Sequence, residues 1–345
     1  MAITIDDQIQ AYKERLKGSM SDVEALLGLA NAYLYLRRNE EAGAVIRKAR
    51  ALEPDAERTA LALAAWHINM GQGAEALALL QSLPESVAAL QLMAQLHSES
   101  RRMGQALAAM QKAAALSPDS AEMHYELGNL YDDNDDAENA LAEYEKTVEL
   151  DPDHAPAWNA IGMLRADDDD LDEAIAAFRK TLNIDPTYSN AHVNLGLAYL
   201  DHGDYPVADA EDEFNRAIEF DAENEDALIG LGSILYEDRK YGRALKYFEQ
   251  AARSAPESSE AHYQLGNTYW ALDNKREAAS AWRRAGTLDP TYADPHFWLA
   301  QALDARGDTL EACVHLRIYL DLDAEGEWAD EAQQQLDKLS AEWPM

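Results

Sequence analysis

The chain resembles itself about every 34 residues, and no other feature limits its possible folds as strongly. Alanines recur at Ala42, Ala76, Ala106, Ala140, Ala174, Ala210, Ala244, Ala278 and Ala312, with gaps of 34, 30, 34, 34, 36, 34, 34 and 34. A second small column runs Ala30, Ala64, Ala94, Gly128, Gly162, Gly196, Gly232, Gly266, Ala300. Four residues after each alanine of the first column stands a bulky residue: Ile46, Leu80, Met110, Tyr144, Phe178, Phe214, Phe248, Trp282, Leu316. Prolines close most periods (Pro54, Pro84, Pro118, Pro152, Pro186, Pro256, Pro290), with Ala222 and Ala324 where two are missing. Within a period the apolar spacing is helical. Trp158, Ile161, Gly162 and Leu164 form one stripe, and Ala174, Ile175, Phe178 and Leu182 another. The proline after the second stripe stops the helix. Each period therefore reads as a helical hairpin, and successive hairpins imply one elongated stack in which each repeat contacts its neighbours.

The spacing of small, Tyr, Ala, Phe and Pro positions resembles the tetratricopeptide repeat family. The resemblance spans residues 23–326 as nine units, starting near Val23, Glu57, Val87, Ala121, Ala155, Ser189, Glu225, Ser259 and Ala293. The second unit lacks four residues after Ala76, about one helical turn. The sixth gains two in "DHGDYPVADA", which predicts a bulge or longer turn near Pro206. Residues 1–22, with the stripe Ile9, Tyr12 and Leu16, are expected to form an N-terminal capping helix. Residues 327–345, with Trp328, Ala332, Leu336 and Leu339, are expected to cap the other end. The resemblance implies an all-α, right-handed superhelix whose concave surface is lined by the first helix of each unit and receives partner segments.

Charge narrows the choice of partner. There are 64 acids against 29 bases, a net charge of −35. Residues 1–120 are nearly balanced, with 14 acids and 12 bases, whereas residues 121–240 carry 32 acids and 7 bases. Such a chain repels nucleic acid and anionic membranes and attracts basic partners. Ten lysines against 19 arginines on an acidic surface also suit adaptation to high salt, although that would acidify the whole chain. The lone cysteine, Cys313, excludes an intrachain disulfide. The N-terminal stretch has no basic and apolar leader pattern, and no apolar run reaches membrane-spanning length. The expectation is a cytoplasmic protein without membrane insertion.

The acids are periodic too. The run Asp167, Asp168, Asp169, Asp170 falls at the turn between the two helices of the fifth unit. Asp170, with Glu173 three residues on, predicts a capping box for the second helix. Asp167 and Asp168 lie at a helix C-terminus, where the dipole disfavours anions by roughly 0.3–1 kcal/mol. Asp167 belongs to the column Glu99, Asp133, Asp167, Asp201, Glu237, five consecutive units with an acid at one site. In the family that site faces the groove, and packed helices about 8–10 Å apart would spread the row over roughly 40 Å. Tyr125, Asn129, Asn159, Met163, Val193, Leu197 and Ile229 are expected on the same surface, with Tyr236, Tyr263, Asn267, Trp270 and Phe297. The predicted function is a non-enzymatic scaffold or adaptor whose acidic, aromatic-lined groove binds a basic, partly apolar protein segment. The alternative is a self-assembling structural protein whose acidity serves solubility or salt adaptation.

Other constellations carry less. "DDNDDAENALAE" loosely matches a calcium loop through Asp132, Asn134, Asp136 and Glu143. It has Ala137 where the sharp turn wants glycine. His124, His192, His262 and His296 share one repeat column, but adjacent members roughly 8–10 Å apart cannot share a zinc. Cys313 follows Ala312 on a packing helix and reads as a buried thiol. No phosphate loop, nucleophile elbow or HExxH appears, so no cofactor, metal or catalytic residue is assigned. Family members that clamp carboxylate tails use basic groove residues. Here the asparagines Asn129, Asn159, Asn194 and Asn267 have no basic companions.

Overall fold

The structure, a computed structural model, describes residues 4–342. Among the described residues there are twenty α-helices and no strand. The chain divides into two compact units, one ending at Ala157 and one beginning at Trp158.

The first unit opens with α1 (Ile5–Gly18). Helical hairpins follow: α2 (Val23–Tyr35) with α3 (Asn39–Leu52), α4 (Glu57–Asn69) with α5 (Gly73–Gln81), α6 (Val87–Glu99) with α7 (Met103–Leu116), and α8 (Ala121–Asp132) with α9 (Ala137–Leu150). The second unit takes in most of α10 (Ala155–Asp167), paired with α11 (Leu171–Ile184). Then come α12 (Ser189–His202) with α13 (Val207–Phe220) and α14 (Glu225–Glu237) with α15 (Tyr241–Ser254). The last pairs are α16 (Ser259–Ala271) with α17 (Lys275–Leu288) and α18 (Asp294–Asp304) with α19 (Thr309–Leu322), followed by α20 (Ala329–Glu342). The apolar interior is a series of small local clusters, such as Ala174, Phe178, Val193 and Phe214 in one and Trp282, Phe297, Ala300 and Leu316 in another.

The small and bulky columns fit one another by size. Where the bulky residue is aromatic, the small one is glycine: Gly128–Tyr144, Gly162–Phe178, Gly196–Phe214, Gly232–Phe248, Gly266–Trp282. A Cβ at Gly232 would stand 2.5 Å from Phe248 Cε1, inside van der Waals contact. Where the bulky residue is Ile46, Leu80, Met110 or Leu316, the small one is alanine, completely or nearly buried.

The two helices of a hairpin start by different means. Several first helices are capped by a side chain from the preceding linker: Asp22 accepts from the Ala25 amide at 2.9 Å, and Ser120, Asn224 and Ser258 act alike. The second helix is entered through a left-handed residue at one repeat position: Arg37, Gly71, Arg101, Asp135, Asp169, Gly203, Arg239, Asp273 and Gly307 all have φ between 55° and 84°. In the fifth hairpin the next amide, Asp170, closes a Schellman-type bond to the Arg165 carbonyl at 2.8 Å. The capping box expected at Asp170 is therefore absent. With its backbone turned by that closure (φ −85°, ψ 61°), its carboxylate makes no cap bond and lies 3.7 Å from Arg165 Nη1. In the sixth hairpin the connection runs through Gly203 to Pro206, and Tyr205 folds back to stack on Tyr199 at 4.5 Å.

Candidate functional site

In the second unit, Met163 and Asp167 of α10 and Leu197 and Asp201 of α12 line one depression of about 270 Å³ with Asn194, Ala166, Ala198 and the edge of Phe178. Met163 and Leu197 are 48% and 43% exposed, two of the large apolar side chains that the fold leaves at its surface. Asp167 and Asp201 are exposed, and among the described residues no cation lies within ion-pair distance of either. Glu237 at the end of α14 is likewise exposed and unpaired. Two exposed hydrophobes and two unneutralised carboxylates thus share a concave patch. Beneath it, Asn194 Nδ2 donates to Asn159 Oδ1 at 3.1 Å, tying α12 to α10.

The first unit holds a related depression of about 600 Å³. Glu99 and Asn129 line it with Gln91, Leu92, Gln95 and Glu126. Gln95 donates to Glu99 at 2.9 Å, and Gln91 donates to Glu126 at 2.8 Å across successive first helices. Asp133 caps the end of α8, exposed. Gln91 and Gln95 were not singled out by sequence, although they stand at the same repeat positions as Asn159 and Met163.

Not every expected groove residue is available to a partner. Asn159, Val193 and Phe297 are only 7%, 3% and 1% exposed. Their shared position lies where successive first helices press together, so Val193 and Phe297 join core clusters. The Asn159 amide is spent on Met163 Sδ at 3.3 Å and on Asn194. Asn129 and Asn267 accept from Tyr144 Oη (2.8 Å) and Trp282 Nε1 (3.0 Å), so their carbonyls serve the bulky column. Tyr125 is half-buried against Tyr144 and His154. Tyr263 packs on Tyr292 at 5.1 Å, and burial pushes its hydroxyl pKa up to about 12. Tyr236 meets Tyr241 edge-on at 5.1 Å, with its pKa raised by burial. Trp270 already carries a cation, the Lys275 ammonium 5.6 Å above its ring. Ile229 is half-buried at the edge of the α14–α15 core.

The histidine column is structural. His124 and His192 each bridge a carboxylate on the second helix (Glu143 and Glu213, both 2.6 Å) and the carbonyl of the preceding proline (Pro118 and Pro186, both 3.0 Å). The ring thereby pins the turn before a hairpin to that hairpin's second helix. Glu143 is thus turned away from the loop through Asp132 and Asp136. Among the described residues no group of three His, Cys, Asp or Glu side chains is placed to hold a metal. Cys313 is 5% exposed within the C-terminal core cluster. No helix among the described residues is long and apolar enough to cross a membrane.

Comparison with known proteins agrees with the helical-hairpin fold. Tetratricopeptide repeat profiles match residues 23–55 and, in overlapping segments, residues 92–327. No curated protein matches. Among solved structures, the chain is similar to the Cut9–Hcn1 hetero-tetramer of APC/C (12% identity, TM-score 0.58, covering 97% of this chain and 93% of that one). It is also similar to PilW, a type IV pilus biogenesis factor (18%, TM-score 0.54, 62% and 98%), and to yeast Tom70 (15%, TM-score 0.51, 99% and 93%). At these identities the likeness is one of fold. With repeat profiles matching well over half its length and the same hairpins in its structure, the chain belongs to the tetratricopeptide repeat family.

Proposed function

We propose that the chain is a non-enzymatic protein-interaction scaffold whose first-helix face takes up a basic, partly apolar segment of a partner protein. The observation that carries this reading is the patch in the second unit, where exposed Met163 and Leu197 share a depression with Asp167 and Asp201, neither of which has a cation within ion-pair distance among the described residues. Exposed hydrophobes grouped in a depression mark a surface that gains from being covered. Carboxylates left unpaired in a strongly acidic chain favour a cationic partner, mainly through its rate of encounter and its specificity. The ligand best matched is an extended or helical stretch in which Lys or Arg alternates with Leu, Met or aromatic residues.

Fluorescence anisotropy with two labelled peptides tests this. One carries Lys at every third position among Leu and Ala, and the other has each Lys replaced by Gln. At about 0.05 M salt the basic peptide binds and the neutral one does not, and at about 0.5 M salt the binding weakens because exposed charges are screened. Equal binding of both peptides, indifferent to salt, contradicts the proposal.

A further inference from the structure

The helix that is too short leaves a site of its own. Helix α5 has nine residues, whereas the second helices of the flanking hairpins, α3 and α7, have fourteen. The lost turn opens a pocket of about 500 Å³ between α5, α6 and α7, lined by Leu80, Leu83, Ala89, Leu90, Met93 and Ala109. That volume falls in the range of roughly 300–1,000 Å³ in which proteins seat small molecules. His97 also lines it and is only 8% exposed. Among the described residues neither of its ring nitrogens has a hydrogen-bond partner, in contrast to His67, His124 and His192. Neither nitrogen is sealed from solvent, since among the described residues His202 Nδ1 alone is a buried side-chain polar atom without a partner, so both are open to a molecule seated in the pocket.

The surroundings select the ligand's polar group. Burial lowers the pKa of His97, so its ring is neutral, with one nitrogen donating and the other accepting. The field of Arg102 disfavours a cation beside it. At the rim Lys112, the one Lys or Arg among the lining side chains, is already paired with Glu85 at 2.6 Å, so the lining itself offers no free positive charge for a carboxylate. A hydroxyl, which both donates and accepts, matches the imidazole without bringing charge. We propose that this pocket binds an apolar small molecule carrying one hydroxyl, of the phenol or alkanol class, with that hydroxyl hydrogen-bonded to His97. The pocket shares no residue with the acidic patch and does not depend on the peptide reading.

Calorimetric titration of the full chain with 4-butylphenol, against butylbenzene, tests the site. The phenol is expected to bind at one site per chain and more tightly than butylbenzene. His97→Phe weakens the phenol about tenfold, the worth of one buried hydrogen bond, and leaves butylbenzene unchanged. Ala108 is exposed at the pocket's mouth, so Ala108→Trp obstructs entry without touching the core and abolishes binding of both. The absence of saturable phenol binding by the native chain overturns the proposal. So does phenol binding that survives Ala108→Trp, or an affinity that His97→Phe leaves unchanged.

Discussion

Single residues in this chain are constrained by repeat position more than by chemical type. The left-handed position between the helices of a hairpin is occupied by glycine in three hairpins and by arginine or aspartate in six. For a residue with a Cβ this conformation costs roughly 1–2 kcal/mol. Arg101→Gly is therefore expected to stabilise the first unit by about 1 kcal/mol, seen as a higher midpoint in urea, and a lower midpoint contradicts this. The same reasoning explains what the sequence showed of the aspartate run and what it hid. That Asp167 belongs to a column of acids at one repeat position was visible from periodicity. That Asp169 is a left-handed residue and Asp170 a Schellman closure was not, because both positions also satisfy the composition rule for an N-cap.

A second residue-scale expectation concerns pH. His315 Nδ1 lies 2.9 Å from His296 Nδ1, with Glu311 and Arg283 nearby. Burial, reinforced by His296, pushes the His315 pKa from 6.5 to about 4. Between those values the unfolded chain binds a proton that the folded chain does not. This group's stability is thus fully present above pH 6.5 and is lost as pH falls towards 4, by about 3 kcal/mol in all. Fluorescence of the neighbouring Trp298 and Trp328 follows that end of the stack through denaturation. The stability lost between pH 6.5 and 4 is expected to be smaller in His315→Leu, and an identical loss in both proteins contradicts the assignment.

At the scale of the element, the hairpin is held by a size match between two columns, both visible in the sequence. The rule joining them, glycine with aromatics and alanine with aliphatics, becomes clear once the ring of Phe248 is seen against the Gly232 Cα. Gly232→Ala improves helix propensity by roughly 0.5–1 kcal/mol yet overpacks a fully buried ring, which costs typically 1–3 kcal/mol. The net expectation is destabilisation by about 1–2 kcal/mol, with Phe248→Leu restoring part of it in the double variant. Additive effects in that cycle would show that the two positions do not press on one another. Burial of Asn159, Val193 and Phe297 was not legible for a related reason. Repeat position identifies the helix face, but the depth at which a neighbouring helix covers that face depends on side chains from another hairpin. The shortened α5 was legible as a four-residue gap, whereas the pocket it opens required the positions of α6 and α7.

At the scale of the whole molecule, charge is distributed unevenly for a chain that is only guarding its solubility. The excess of acids is concentrated in residues 121–240, and among the described residues Asp133, Asp167, Asp201 and Glu237, which share one repeat position, have no cation within ion-pair distance. Two of them, Asp167 and Asp201, share a depression with exposed Met163 and Leu197, the surface that the proposed basic partner would cover. The most direct test of this account is the affinity of the lysine-containing peptide for the native chain and for the Asp167→Lys, Asp201→Lys double variant, measured across salt concentrations. The account predicts that the native chain binds and weakens with salt, while the variant loses about tenfold or more in affinity at low salt with its helical content intact. Equal affinity of the two proteins, with the same salt response, would contradict it.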